Sequence, residues 1–142
     1  EREGGALVHM LQERVRAASD AISTLEGLLP EIGAAYRERL EQRLLEMAVQ
    51  VDPERLEQEV VLLLAKSEVS EEVDRLKMHL QEVEQTLGQS EPIGRRLDFL
   101  MQELNREANT LGSKSGHPEQ TNASVNLKVL IEQMREQVQN IE

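Results

Sequence analysis

Apolar residues fall at Leu7, Leu11, Val15, Ala18, Ile22, Leu25, Leu29, Ile32, Tyr36, Leu40, Leu44, Met47 and Val51, and every step between them is three or four. That spacing draws a single stripe along a helix. Pro30 is its one interruption and predicts a kink or break nearby. About 45 residues at ~1.5 Å each reach about 65 Å if the helix runs nearly straight. Such an arm is too long to bury itself in a compact domain, so it must pair with the rest of the chain or with another subunit.

The arm, residues 1–51, is followed by a second region, 52–142. Asp52-Pro53-Glu54 predicts a helix start, with a capping side chain, proline in the first turn and an acid near the positive helix end. The run Val60-Val61-Leu62-Leu63-Leu64-Ala65 reads as a helix buried on more than one face. Ser70, before Glu71 and Glu72, is placed to cap the next helix. Val69, Val73, Leu76, Leu80, Val83 and Leu87 then step by four and three, as a coiled-coil seam does. A fourth helix is expected from Pro92 or Ile93 to Gly112, with Gly112 as the residue that ends it. The stretch 112–122 reads as the longest loop. Leu127, Ile131, Met134, Val138 and Ile141 mark a last helix. The class predicted is all-α: a long antiparallel helical hairpin or coiled-coil arm plus a small helical layer.

Composition narrows this further. Tyr36 and Phe99 are the only aromatic residues, so the core must be aliphatic, as helix seams are. Sixteen basic residues stand against 27 acidic, a formal net charge of -11. That balance argues against holding nucleic acid by bulk electrostatics, which needs clustered Lys and Arg, and two aromatics cannot make a stacking platform for bases. With no cysteine, thiolate nucleophiles, disulfides and zinc–thiolate sites are excluded. The start, Glu1-Arg2-Glu3-Gly4-Gly5, has neither an initiator Met nor a secretory pattern, and reads as a piece of something longer.

Candidate chemistry gathers in the helix from Gly94. Leu97, Leu100, Met101, Leu104, Ala108 and Leu111 make its core face, and Asp98, Gln102, Asn105 and Asn109 line a stripe beside it. Asparagine is a mediocre helix former, so this stripe goes against local stability. It reads either as a buried polar seam that fixes register or as a ligand or metal site. Glu103 and Glu107 stand four apart and can reach one cation from one face, or simply face water. Glu72, Arg75 and His79 share a face of the preceding helix. His79, with an ordinary pKa of about 6.5, suits a ligand or general acid–base, though a lone helical histidine is commonly a bystander. Arg95, Arg96, Arg106, Lys114 and Arg135 are the plausible phosphate clamps. No GxGxxG, P-loop, HExxH or Ser–His–Asp pattern is present.

The runs Gly94-Arg95-Arg96-Leu97-Asp98-Phe99-Leu100 and Gln102-Glu103-Leu104-Asn105-Arg106-Glu107-Ala108-Asn109-Thr110, with Ser113-Lys114, closely resemble the signature of the YicC/YloC family. So do the ending from Lys128 to Glu142 and the segment Glu71-Glu72-Val73-Asp74-Arg75-Leu76 with His79. The likeness is strong from about Leu64 onward and looser over the arm. Two departures are Glu68, where relatives usually have Asp, and Gly116-His117-Pro118, where their loop is acidic and helix-forming.

The resemblance implies a bacterial cytoplasmic endoribonuclease that needs a divalent metal, Mn²⁺ or Mg²⁺, and assembles as an oligomer, a hexamer in the full-length protein. It also implies a separate N-terminal domain that this chain lacks, whose more basic surface would hold the RNA. Carried onto matching positions, it makes Glu72, His79, Glu103 and Glu107 the catalytic acid–base set, with Glu103, Glu107 and His79 as metal ligands. Arg95, Arg96, Arg106, Lys114 and Arg135 would then position the RNA backbone. Two other readings fit the long arm and its seams: a non-catalytic scaffold for oligomerisation and RNA clamping, or an adaptor that binds protein partners.

Overall fold

The stripe of the arm becomes α1 (Arg2–Ala48), one uninterrupted helix with Pro30 inside it. The predicted break is absent. Proline withdraws one amide donor, whose acceptor would have been the carbonyl of Glu26. Both residues are exposed, so water can serve that carbonyl, and the neighbouring turns are held by burial of Leu25 and Ile32.

The computed structural model describes residues 2–48, 52–67, 69–89, 93–114 and 117–140, with side chains excepted at 2–4 and 62–67. Four further helices follow α1: α2 (Pro53–Ser67), α3 (Ser70–Leu87), α4 (Gly94–Ser113) and α5 (Pro118–Gln139). No strand occurs among the described residues, so the chain is all-α. None of the helices described is long and apolar enough to cross a membrane.

Four of the helices close a ring. α1 packs on α3 and α5, and α4 packs on the same two, whereas among the described residues α2 touches α1 alone. The region expected to be a small layer is thus a four-helix bundle with the first half of α1 as one wall. Its core is aliphatic: Leu11, Val15, Ala18, Ile22 and Leu25 of α1 share one cluster with Leu76, Leu97, Leu104, Leu127 and Ile131. Leu40 is buried too, but apart from that cluster. Of the apolar run opening at Val60, Val60 is half-buried and Val61 exposed, and the side chains of Leu62 to Ala65 lie outside those described.

Local side-chain chemistry sets the starts of α2 and α5 but not that of α3. Asp52 caps α2, its Oδ1 accepting from the Arg55 N–H at 2.9 Å. Ser70 does not cap α3; the helix begins at Ser70, with Val69 in the cap position and no side-chain cap bond. Val69 is buried in the core, and burying a valine (about 1.5–3 kcal/mol) outweighs a serine cap (about 1 kcal/mol). Helix α5 begins within the stretch expected to be loop, because the His117 ring accepts from the Glu119 N–H and Pro118 occupies the first turn. Gly112 does not end α4. It lies inside the helix, and no glycine described has positive φ. A Cβ there would stand 2.5 Å from Ser124 Oγ, so its absence lets α5 approach. The expectations at Val51, Glu68, Pro92, Gly116, Ile141 and Glu142 lie outside the described residues.

Candidate active site

On α3, Glu72, Arg75 and His79 recur at three and four; on α4, Glu103, Arg106, Glu107 and Thr110 do the same. Each set therefore occupies one face of its helix. The helices are antiparallel: seven residues separate His79 from Glu72, seven separate Glu107 from Lys114, and the pairs bridge the helices in opposite chain directions. Two turns on each side thus frame one cleft of about 350 Å³. The carboxylates Glu72, Glu103 and Glu107 line it together with His79, while Arg75, Met78, Arg106 and Thr110 complete its wall.

At the centre, His79 Nδ1 and Glu107 Oε1 share a hydrogen bond of 2.8 Å, with both side chains largely enclosed. The Glu107 carboxyl is held above its ordinary value of 4.5, chiefly because burial disfavours the charge. The hydrogen bond and positive charge of His79 oppose that shift; Glu103 adds to it and Arg75 subtracts. When His79 donates its Nδ1 proton to ionised Glu107, Nε2 is left as a proton acceptor in a fixed orientation. A positioned imidazole of this kind can act as general base and then as general acid.

At one end, Lys114 Nζ donates to Glu72 Oε1 at 3.0 Å. Glu72 is only 4% exposed, and its second oxygen, Oε2, is buried without a hydrogen-bond partner. At the mouth, Arg106 lies 3.6 Å from Glu103, and Arg75 is paired with Glu71 at 2.6 Å.

The other predicted residues sit elsewhere. Asp98 is half-buried, and Gln102, Asn105 and Asn109 are exposed. Gln102 Nε2 donates to Asp98 Oδ2 at 3.0 Å, so this stripe is a solvated face and not a buried seam. Its surplus of asparagine has no structural account here. Arg95 lines a different hollow with Asp98, Val138 and Gln139. Arg96 is tied to Glu82 at 2.6 Å. Arg135 is half-buried on α5, with its Nε enclosed and unpartnered. Arg75 and Met78 belong to the cleft wall but not to the predicted set; Arg75 was visible in the spacing of its face, and Met78 gave no signal.

The donors suit a hard divalent cation in type, being carboxylate oxygens and one imidazole nitrogen, and Glu72, which lines the cleft, keeps one buried oxygen, Oε2, without a hydrogen-bond partner. They form no ready-made cage: no three His, Asp or Glu among the described residues are gathered to hold an ion. Lys114 and His79 already engage Glu72 and Glu107.

The fold and cleft define an all-α domain with a buried acid–imidazole pair. The chain belongs to the YicC-like endoribonuclease family, whose C-terminal family model matches residues 25–142. The probable endoribonuclease YicC of Haemophilus influenzae is 46% identical over 141 residues, covering 99% of this chain and 49% of that protein. The probable endoribonuclease YicC of Clostridioides difficile is 38% identical over 143 residues, with the same coverage. The chain spans about half the length of these curated relatives.

Proposed function

We propose that this chain is the C-terminal part of an endoribonuclease and that the α3–α4 cleft carries its acid–base chemistry. One observation supports this best: the His79–Glu107 hydrogen bond lies in a cleft with two further carboxylates, in a family whose relatives are named probable endoribonucleases. In this reading His79 moves a proton at the scissile phosphodiester, and Glu107 fixes its tautomer and orientation. Arg106 and Arg75 at the cleft mouth meet phosphate oxygens. Lys114 holds Glu72 until substrate or cation arrives. Arg95, Arg96 and Arg135 contact the RNA backbone away from the cleft.

A divalent cation, Mn²⁺ or Mg²⁺, would be held by carboxylate oxygens of Glu103 and Glu107, with Glu72 at hand, since His79 gives Nδ1 to Glu107 and keeps Nε2 for the proton. When bound, it would neutralise phosphate charge and acidify a bound water. The working form is a homo-oligomer, a hexamer in the full-length protein, in which a more basic N-terminal half supplies most of the attraction for RNA.

The test is RNA cleavage by the full-length protein with Mn²⁺, with Mg²⁺ and with chelator, beside its Glu103→Gln, Glu107→Gln and His79→Ala variants. Each variant should lose about 10²- to 10⁴-fold in kcat while keeping a cooperative melting transition, and chelator should silence the parent. Undiminished cleavage by the Gln variants would sink the assignment. The scaffold reading draws on the Lys114–Glu72 and His79–Glu107 bridges as links between α3 and α4. It predicts instead that these substitutions lower the melting temperature and leave cleavage intact.

A further inference from the structure

The face of the α3–α4 pair that bears the cleft continues past it. Phe99 lies one turn before Glu103 on α4, so the two project from the same side of the helix. Phe99 is 48% exposed, and Met78, which lines the cleft from α3, is 49% exposed. Arg96 stands one turn nearer the start of α4, fixed by its ion pair with Glu82 across on α3. Its guanidinium lies 5.6 Å from the centroid of the Phe99 ring. The order along this face is therefore an anchored cation, a ring it covers on one side, and then the carboxylates, base and arginines of the cleft.

A lone exposed apolar side chain means little by itself. This one is the exposed member of only two aromatic residues in the chain, beside a core that is otherwise aliphatic. All four leucines of α4 are buried, and the ring is left on the rim. A chain of net charge -11 offers a polyanion little general attraction near this cleft. A contact that does not depend on charge is what could hold a nucleotide there. Stacking of a base on an aromatic face is such a contact, and it tolerates any base because each has a π-face.

We propose that Phe99, covered on one side by Arg96 and set one turn before Glu103 of the cleft, is a stacking site for one unpaired nucleobase of the RNA, next to the nucleotide that enters the cleft. The proposal deepens the endoribonuclease reading and rests on it. One turn of α4, about 5.4 Å, separates the ring from Glu103, a distance suited to a neighbouring nucleotide. The site would favour single-stranded RNA, since a base within a duplex has no face to offer.

The experiment uses full-length protein with Mn²⁺ or Mg²⁺ and a single-stranded RNA oligonucleotide in which an abasic residue is walked past the cut position. For the parent, one abasic position beside the cut should raise KM about 10-fold. Phe99→Ala should raise KM for intact RNA by a similar factor, hold kcat within about twofold, and lose the abasic penalty. Phe99→Trp should restore both. Parent-like KM in Phe99→Ala with the abasic penalty retained would overturn the stacking site and leave the nuclease reading standing. A changed oligomer mass for Phe99→Ala, whose melting should match the parent's, would make the ring a contact between protein segments and also overturn it. No cleavage by any form with any metal would bring down the nuclease reading itself and the stacking site with it.

Discussion

Glu107 holds its proton to a higher pH in the folded chain than in the unfolded one, because its carboxylate would have to leave water and Glu103 stands close, against which His79 and Arg75 pull only in part. Between the ordinary value of 4.5 and that raised value the folded state binds more protons, so stability falls as pH rises through the window. The stabilisation is fully present below the lower value and gone above the upper. Glu107→Gln, which never ionises, should remove this component, so its melting temperature should gain on the parent's as pH climbs from 4 towards neutrality. Parallel curves would refute the account. Lys114 poses the converse problem. Lys114→Met leaves Glu72 buried without its counter-charge and should cost about 1–3 kcal/mol in a denaturant melt, less than for a fully enclosed pair because the Lys114 side chain is 24% exposed. Adding Glu72→Gln should recover most of that loss.

Between elements, α4 and α5 approach closely at Gly112 and Ser124. Ser124 Oγ donates to the Ala108 carbonyl at 2.8 Å, and Gln120 Nε2 donates to the Leu111 carbonyl at 2.9 Å. Both side chains are buried, and Gly112 makes room between them. Gly112→Ala should therefore destabilise by about 1–3 kcal/mol through overpacking, measured as a shift in the denaturation midpoint. Adding Ser124→Ala should recover only part, since Ser124 Cβ would still stand 3.3 Å from the new methyl. Sequence alone showed Gly112 as punctuation, because a glycine after a periodic run usually ends a helix; its packing role depends on a residue twelve positions on. The same limit governs the cleft. The faces Glu72–Arg75–His79 and Glu103–Glu107 were legible as spacing within each helix, and the family resemblance brought them together on paper. Which side chains pair across the helices was not legible, because Lys114 meets Glu72 across 42 residues. The polar stripe misled as a candidate buried seam because composition does not tell a solvated face from an enclosed one. Arg95 and Arg96, close to the site in sequence, belong to the opposite end of α4.

For the molecule as a whole, the family match begins at residue 25, yet Leu11, Val15, Ala18 and Ile22 are buried in the bundle core. Deleting residues 1–24 from this chain should expose one wall of α3 and α5 and abolish a cooperative thermal transition, followed by circular dichroism. A sharp transition near the parent temperature would show the α1 wall to be dispensable. The passage of α1 through Pro30 without a break has a further consequence. One helix serves both the bundle and the segment that packs with α2, so it behaves as a shaft with a fixed phase. Inserting a single residue between positions 33 and 39 would turn its far stripe by about 100° and advance it by about 1.5 Å, whereas seven residues, close to two full turns, would bring it nearly back into register. The orientation of whatever docks on the arm is thereby geared to the cleft, and a change in helix length of one residue is more disruptive than one of seven.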